Sequence, residues 1–417
     1  MTAIADPDCL GSNDDRACLR TAVARQVTKR VVRNMPVRIE FPDGSVMGAG
    51  TTNQAPVIEV TRPNAFFRRL GHQPKIGFGE AYMAGDWRAS EGTDLGAALY
   101  PIAAHIANAV PKLLQRIRTL VEERVPQSQR NTPMGSRKNI KAHYDLSNAL
   151  FESFLDDSLT YSSALFSDSS PWSDQSLESA QLRKVDSALD RAGVAKGTRL
   201  LEIGTGWGTL AIQAAKRGAY VTSLTLSQEQ TELARKRAAE AGVADRVKVV
   251  LQDYREASGA YDSIVSVEMI EAVGEEFWSK YFSTVSDLLI PGGKAVVQSI
   301  LMSHDRYLET RRSFSWIQKH IFPGGIIPSV RAIQETVAAT DLLVTDQLHF
   351  GLHYAETLRR WRASFIDAWP EIEALGFDKQ FHLMWEFYLG YSESGFESGY
   401  LDVAQFTFTK SGGALDV

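Results

Sequence analysis

Residues Leu200–Thr209 read L-L-E-I-G-T-G-W-G-T, and the rest of the chain is read outward from this stretch. An apolar run ends in Glu202; Gly204, Gly206 and Gly208 then alternate before a helical segment opens. Alternating glycines after a strand allow a tight turn and bring backbone N–H groups close to a ligand at a helix N-terminus. A dinucleotide fingerprint needs G-x-G-x-x-G. Here the third glycine comes one residue early and Thr209 stands in its place, so that reading fails.

From about residue 139 onward, strand and helix patterns alternate around this turn, which predicts an α/β fold with a mostly parallel sheet covered on both faces. The predicted strands are Arg199–Ile203, Tyr220–Leu224, Val247–Leu251, Ser263–Val267, Ala295–Ser299, Leu343–His349 and Ala404–Thr409. Gln228–Ala241 reads as a helix with Ser227 as N-cap and Gly242 as its stop. Pro291-Gly292-Gly293 reads as the turn into the fifth strand. Residues 300–340 break the alternation with S-F-S-W-I-Q-K-H-I-F-P-G-G-I-I-P-S and are read as a helical insertion capping the site.

The other direction holds a second, smaller α+β domain, expected over 16–110. Residues 1–15 are small, polar and acidic and are expected to be disordered. A helix is expected from Arg16 to Met35, then a hairpin around Asp43-Gly44, a strand at P-V-I-E-V and a helix at P-N-A-F-F-R-R-L. A basic linker, 111–138, follows with Lys112, Arg116, Arg118, Arg124, Arg130, Arg137 and Lys138, and is punctuated by Pro126 and Pro133. The remaining domain is 139–417.

Bulk properties narrow the function. A net charge of −5 over 417 residues argues against a nucleic-acid partner. No apolar run approaches the roughly 18 residues that span a bilayer, and M-T-A-I-A-D-P-D lacks the basic-then-apolar order of a secretory signal. A cytoplasmic location is therefore expected. Cys9 and Cys18 lie outside metal-ligand spacing and predict neither a disulfide framework nor a zinc site; no metal is expected. Between Arg16 and Arg38 there are seven Lys/Arg and no Asp/Glu, a pattern suited to anionic phospholipid headgroups, with a solvated helix face as the plain alternative.

Several motifs carry a family resemblance. The E-x-G-x-G-x-G form at Glu202–Gly208 resembles the first motif of S-adenosylmethionine-dependent methyltransferases. In order and spacing, N-I-K-A-H-Y-D-L-S-N-A-L-F (139–151), L-T-Y-S-S-A-L-F (159–166), L-T-L-S-Q-E-Q, V-E-M-I-E-A-V-G, W-I-Q-K-H-I-F-P-G-G, H-Y-A-E-T-L-R-R-W and F-E-S-G-Y-L-D-V-A-Q-F are similar to the cyclopropane-fatty-acid synthase family. F-F-R-R-L-G and I-G-F-G-E-A-Y-M-A-G-D-W resemble the extra N-terminal domain of longer bacterial members. The whole chain looks most like the actinobacterial branch that makes 10-methylene and 10-methyl stearate.

The resemblance implies a class I methyltransferase sheet of seven strands. It places the cofactor S-adenosylmethionine at Tyr144, Tyr161, Ser162, Gly204 and Gly206, with Glu202 as negative charge for the sulfonium end. Thr225 and Gln230 would address the ribose and methionine end, and Gln252, Asp253 and Tyr254 the adenine. Thr225 and Ser227 also fit plain strand-end and cap roles. A bound bicarbonate is implied as base, cradled by Glu271, Gln298, Ile300 and Tyr354, with the small Ser163 beside it. Glu271 could equally be a helix-cap carboxylate and Tyr354 a core aromatic. The aromatic stretches Phe314–Trp316 and Trp385–Tyr391 are expected to line an acyl channel, or to be plain core.

Two departures matter. Cyclopropane formers have cysteine where this chain has Ser163 and histidine where it has Gln298, and often E-H-V-G where Glu271-Ala272-Val273-Gly274 stands. An amide can donate a hydrogen bond but does not titrate near neutral pH. The expected reaction is methyl transfer to the double bond of an unsaturated fatty acyl chain, oleoyl in phospholipid, giving a 10-methylene product. A cyclopropane synthase is the alternative, a small-molecule methyltransferase a more distant one, and a lipid-binding scaffold with a degenerate site the non-enzymatic one. The implied partners are phospholipid acyl chains, an anionic membrane inner face and a reductase acting on the product; a homo-oligomer is left open.

Overall fold

A computed structural model describes residues 15–51, 55–109, 126, 129–132, 135 and 147–412. The expected disordered N-terminus, most of the basic linker and Tyr144 lie outside the described residues. The chain divides into two compact units, and it passes between them more than once.

The first unit comprises Met1–Val125, Arg312–Pro323 and Phe365–Tyr400. Its sheet has strands β1 (Arg38–Glu40), β2 (Val46–Met47), β3 (Val57–Val60) and β4 (Trp87–Ala89) in the order β2-β1-β3-β4. Asp43-Gly44 makes the turn between β1 and β2, which pair antiparallel; β1 and β3 run parallel. The basic helix is Asp15–Val32. Thr21 and Val32 face inward and Arg25 lies 4.8 Å over the Phe67 ring. Helices Pro63–His72 and Pro74–Met83 each begin with proline, whose fixed φ suits a first helical turn. The second of these helices contains the glycine-rich stretch that the sequence left without an element.

Asp86, fully buried, is held by Arg62 at 2.8 Å and Arg69 at 2.9 Å. Trp87 stacks on Phe78, with centroids 4.6 Å apart. Trp316 meets Phe387 edge-on at 4.8 Å, and Trp385 is buried beside Phe381 and Tyr388. The two aromatic stretches considered for an acyl channel thus pack on one another inside this unit.

The second unit comprises Pro126–Arg311, Gly324–Ser364 and Leu401–Val417. Its strands are β5 (Arg199–Ile203), β6 (Tyr220–Thr225), β7 (Val247–Leu251), β8 (Tyr261–Val267), β9 (Leu289–Met302), β10 (Leu342–His349) and β11 (Leu401–Lys410). They form one seven-stranded sheet in the order β10-β11-β9-β8-β5-β6-β7. The pairings among β5–β9 are parallel, and β11 runs antiparallel to both β9 and β10.

The central strands read as continuous apolar runs because each face meets its own core. Leu200, Val265 and Val296 pack on one side with helices Leu177–Arg191 and Thr209–Lys216. Leu201, Ile264 and Val297 pack on the other with helices Trp278–Leu288 and Val330–Val337. Pro291-Gly292-Gly293 does not end a turn before β9 as expected. It lies within that strand, where the pairing with β8 shifts register between Tyr261 and Ser263.

Candidate functional site

The predicted site residues gather at the C-terminal ends of β5–β9, the edge where open α/β sheets bind ligands. After β5 the chain turns through Gly204 (φ +99°), Gly206 (φ +51°) and Gly208 (φ +91°), and Gly208 caps helix Thr209–Lys216. These left-handed values favour glycine. A Cβ on Gly204 would lie 2.6 Å from Met269 Cγ, whereas one on Gly206 would meet nothing within 4 Å. The front of Gly206 is therefore open to a ligand, and the back of the turn is fastened. Gly204 and Thr205 donate their N–H groups to Leu224 O, and Arg237 reaches Trp207 O at 2.8 Å.

Glu202 is buried behind this turn and accepts a hydrogen bond from Ser223, which also meets Thr205 Oγ1 at 2.7 Å. Burial pushes its carboxyl up to about 8, while Ser223 and the Lys184 charge favour the ionised form. At the end of β6, Thr225 donates to Gln230 Oε1 (2.7 Å), and Ser227 caps helix Gln228–Glu240 through Gln230 N. After β7, Gln252 donates to Glu256 O (2.8 Å), and both Asp253 oxygens accept from Arg255. Asp253 thus directs its acceptors at Arg255. Tyr254 packs its ring edge-on against Tyr281 at 5.4 Å; burial raises its hydroxyl to about 12. Tyr161 packs against Phe151 (5.2 Å) and Trp361 (5.3 Å). Ser162 accepts from Lys184 Nζ at 2.6 Å.

The expected catalytic set divides between two carboxylates. Glu271, at the start of the short helix Ile270–Val273, accepts at Oε1 from Ile300 N (2.5 Å) and Ser299 Oγ (3.0 Å). Its Oε2 is sealed from solvent and has no hydrogen-bond partner among the described residues. Burial, reinforced by the neighbouring charge of Glu268, pushes Glu271 up to about 8, so it is mostly protonated at neutral pH.

Ser163, Gln298 and Tyr354 meet a different residue. Glu268 Oε1 accepts from Ser163 N (3.0 Å) and Gln298 Nε2 (2.8 Å), and its Oε2 accepts from Tyr354 OH (2.7 Å). Every one of these bonds has Glu268 as acceptor, the pattern of a carboxylate. Burial raises its affinity for a proton, opposed by Tyr354, Ser163, the Lys184 charge and Gln298. Glu268 follows β8 with φ +51°, a left-handed value uncommon for a residue with a side chain. Glu268 was not among the expected site residues. The available signal was the spacing E-M-I-E, which places a second carboxylate three residues before Glu271 at the ligand-binding end of a strand.

The match to a family model, mycolic acid cyclopropane synthetase, covers residues 131–406. The chain is 46% identical over 402 residues to tuberculostearic acid methyltransferase UfaA1 of Mycobacterium tuberculosis, spanning 95% of this chain and 93% of that protein. It is 32% identical to the cyclopropane-fatty-acyl-phospholipid synthase of Escherichia coli K12, over 87% of this chain and 90% of that protein. Among solved structures, mycolic acid cyclopropane synthase CmaA1 complexed with SAH and CTAB has a TM-score of 0.60 at 32% identity, covering 66% of this chain and 98% of that one. The open front of Gly206, with buried Glu202 behind it, fits the cofactor S-adenosylmethionine that this relationship entails. The chain belongs to the mycolic acid cyclopropane synthetase family and is an S-adenosylmethionine-dependent fatty acid methyltransferase.

Proposed function

We propose that the enzyme methylates the double bond of an unsaturated acyl chain, oleoyl in phospholipid, and releases a 10-methylene-branched chain. The similarity to a tuberculostearic acid methyltransferase along nearly the whole chain supports this substrate class. The observation that carries the chemistry is Glu268, at the focus of Ser163, Gln298 and Tyr354. S-adenosylmethionine would supply an electrophilic methyl group, and the glycine turn, Glu202, Thr225, Gln230 and the Tyr161–Ser162 segment would hold it. The alkene π electrons form the new C–C bond as the methyl–sulfur bond breaks and its electron pair leaves with the sulfur, and a cation remains on the neighbouring carbon. A hydride shift moves that cation to the methyl-bearing carbon, and loss of a proton from the methyl gives the exocyclic methylene.

Glu268 accepts that proton at Oε2, which has a lone pair left after the Tyr354 bond. Glu271 stays protonated next to it and avoids a second buried anion. Most donors of the residues expected to cradle bicarbonate go to Glu268 and Glu271, while Glu271 Oε2 keeps no partner among the described residues. Glu268 takes the Ser163, Gln298 and Tyr354 donors, and Glu271 takes Ile300 N. No step is therefore assigned to bicarbonate. A cyclopropane product would need the proton to leave as the ring closes, and the synthase from Escherichia coli keeps that reading alive.

The substrate's location supports peripheral attachment to the anionic inner face of the membrane. Among the described residues, no helix is long and apolar enough to cross a bilayer. Helix Asp15–Val32 turns Leu19, Val23 and Val27 outward at four-residue spacing, among exposed Arg20, Lys29 and Arg30. Incubating the enzyme with methyl-labelled S-adenosylmethionine and oleoyl-phospholipid vesicles tests the product. Vinylic NMR signals from the label are expected; upfield ring-methylene signals would make it a cyclopropane synthase, and unlabelled lipid would overturn the substrate class.

A further inference from the structure

Helix Leu177–Arg191 buries Gln181 and Lys184 beside its apolar Ala180, Val185, Ala188 and Leu189, so a polar stripe runs along its core-facing side. Gln181 donates to Thr160 O (3.1 Å) and Ser162 O (2.8 Å). Lys184, three residues on and 1% exposed, donates to Ser162 Oγ at 2.6 Å. Ser187 donates to Gln405 Oε1 (2.9 Å). From β11, Gln405 Nε2 donates to Lys184 O and to Gln298 Oε1, both at 3.1 Å. That contact leaves the Gln298 amide nitrogen pointing at Glu268. The stripe thus ends, through two amides, on the proton-accepting carboxylate.

Lys184 is the costly member of this stripe. No carboxylate among the described residues comes within the 4.0 Å of an ion pair with it, and an unpaired buried ammonium is strongly disfavoured by desolvation. Three carboxylates act on it through space: Glu268 beyond β8, Asp156 in the turn before Ser158, and Glu202 on β5. Its hydrogen-bond partners, Ser162 at the ammonium and Gln405 at the backbone carbonyl, carry no charge. Desolvation lowers the Lys184 ammonium to about 8, and charge on these three carboxylates opposes the fall. The Lys184 charge in turn favours the ionised forms of Glu268, Glu202 and Asp156.

We propose that Lys184 is the positioning charge of the proton-accepting site: fixed by Ser162 at the end of the amide chain that reaches Glu268, its ammonium favours the carboxylate form of Glu268. This rests on Glu268 being the base. Lys184 touches neither acyl chain nor cofactor in this role; it acts through Glu268. The charge, rather than the hydrogen bond to Ser162, is what matters.

The test is the pH profile of kcat/KM for label transfer to oleoyl-phospholipid vesicles, measured for Lys184→Gln, Lys184→Met and Lys184→Arg. The acidic limb of that profile reports the base of the free enzyme. Lys184→Gln keeps a donor for Ser162 without the charge, so it holds the fold if Lys184→Met does not. The limb is expected to move up by about one pH unit in both neutral variants and to stay in place in Lys184→Arg. A uniformly lower rate with an unmoved limb would overturn the proposal and leave Lys184 a packing residue. Glu268→Gln separates the two readings. If that variant keeps its activity, the base assignment falls whatever Lys184 does; if it loses activity while the limb of Lys184→Gln stays put, only the Lys184 proposal falls.

Discussion

Replacing Glu268 by glutamine removes the proposed base and almost nothing else. The amide oxygen can keep the Ser163 and Gln298 bonds that now end on Oε1, and the amide nitrogen can donate to the Tyr354 hydroxyl oxygen. Hydrogen bonds to a charged group are worth about 1 kcal/mol more than neutral ones, so the three contacts weaken by about 3 kcal/mol together. Relief from burying a carboxylate offsets most of that, so the melting temperature should shift by only a few degrees. The rate should respond on another scale. A positioned base contributes about 10²–10⁴-fold, or about 3–5 kcal/mol of barrier. Initial rates of methyl-label transfer under saturating cofactor should fall by that factor, with cofactor affinity little changed. Adding bicarbonate should not restore them. A variant within about tenfold of the parent, or a parent enzyme that stops when bicarbonate is stripped from the buffer, would refute the assignment of Glu268 as base.

Further outcomes follow from the same geometry. Glu271 sits near 4.5 in an unfolded chain and near 8 in the folded one. Its contribution to stability is therefore full below about 4.5 and is lost as pH rises through 8, by up to about 5 kcal/mol; Glu271→Gln should flatten the decline in melting temperature over that window, and an unchanged slope would remove Glu271 as its source. Gly206→Ala faces open space at φ +51° and should cost only about 1–2 kcal/mol of stability while weakening cofactor binding measured by calorimetry. Gly204→Ala would collide with Met269 and should lose both binding and thermal stability. Changing Leu19, Val23 and Val27 together to serine should reduce co-sedimentation with anionic vesicles and leave the melting curve nearly unchanged, since all three face outward. Equal sedimentation would remove this helix face from membrane attachment.

The sheet was legible because strands buried on both faces must be apolar along their whole length. All seven expected strands overlap β5–β11, with ends differing mainly where β9 extends through the Pro291–Gly293 segment. The glycine turn was legible for the same local reason, a strand end followed by positions that need positive φ. Helix Pro74–Met83 was not, since Gly77 and Gly79 lower helix propensity and tertiary packing overrides that deficit. The membership of 312–323 and 365–400 in the first unit leaves no periodic trace, because it depends on contacts between distant segments. In the site, the family pattern directed attention to Glu271 and hid Glu268, which stands three residues earlier on the same short motif. Lys184 lies in Q-L-R-K-V-D-S, where a lysine ordinarily marks a solvated helix face; in the fold it is buried and meets Ser162, a contact between distant segments that leaves no local trace.

The position of β11 bears on how the enzyme is made. This strand sits inside the sheet between β9 and β10, pairs with β9 from Lys294 to Met302, and brings Phe406 and Phe408 into the core. On a ribosome, the chain from β5 through β10 is synthesised before β11 exists, so both neighbouring strands emerge with an unpaired edge and wait. Such long-range pairing is slow, and open edges invite association with other chains. The nascent protein should therefore need protection until residue 410 clears the exit tunnel, and chains released at residue 400 should aggregate rather than persist as a partly active domain.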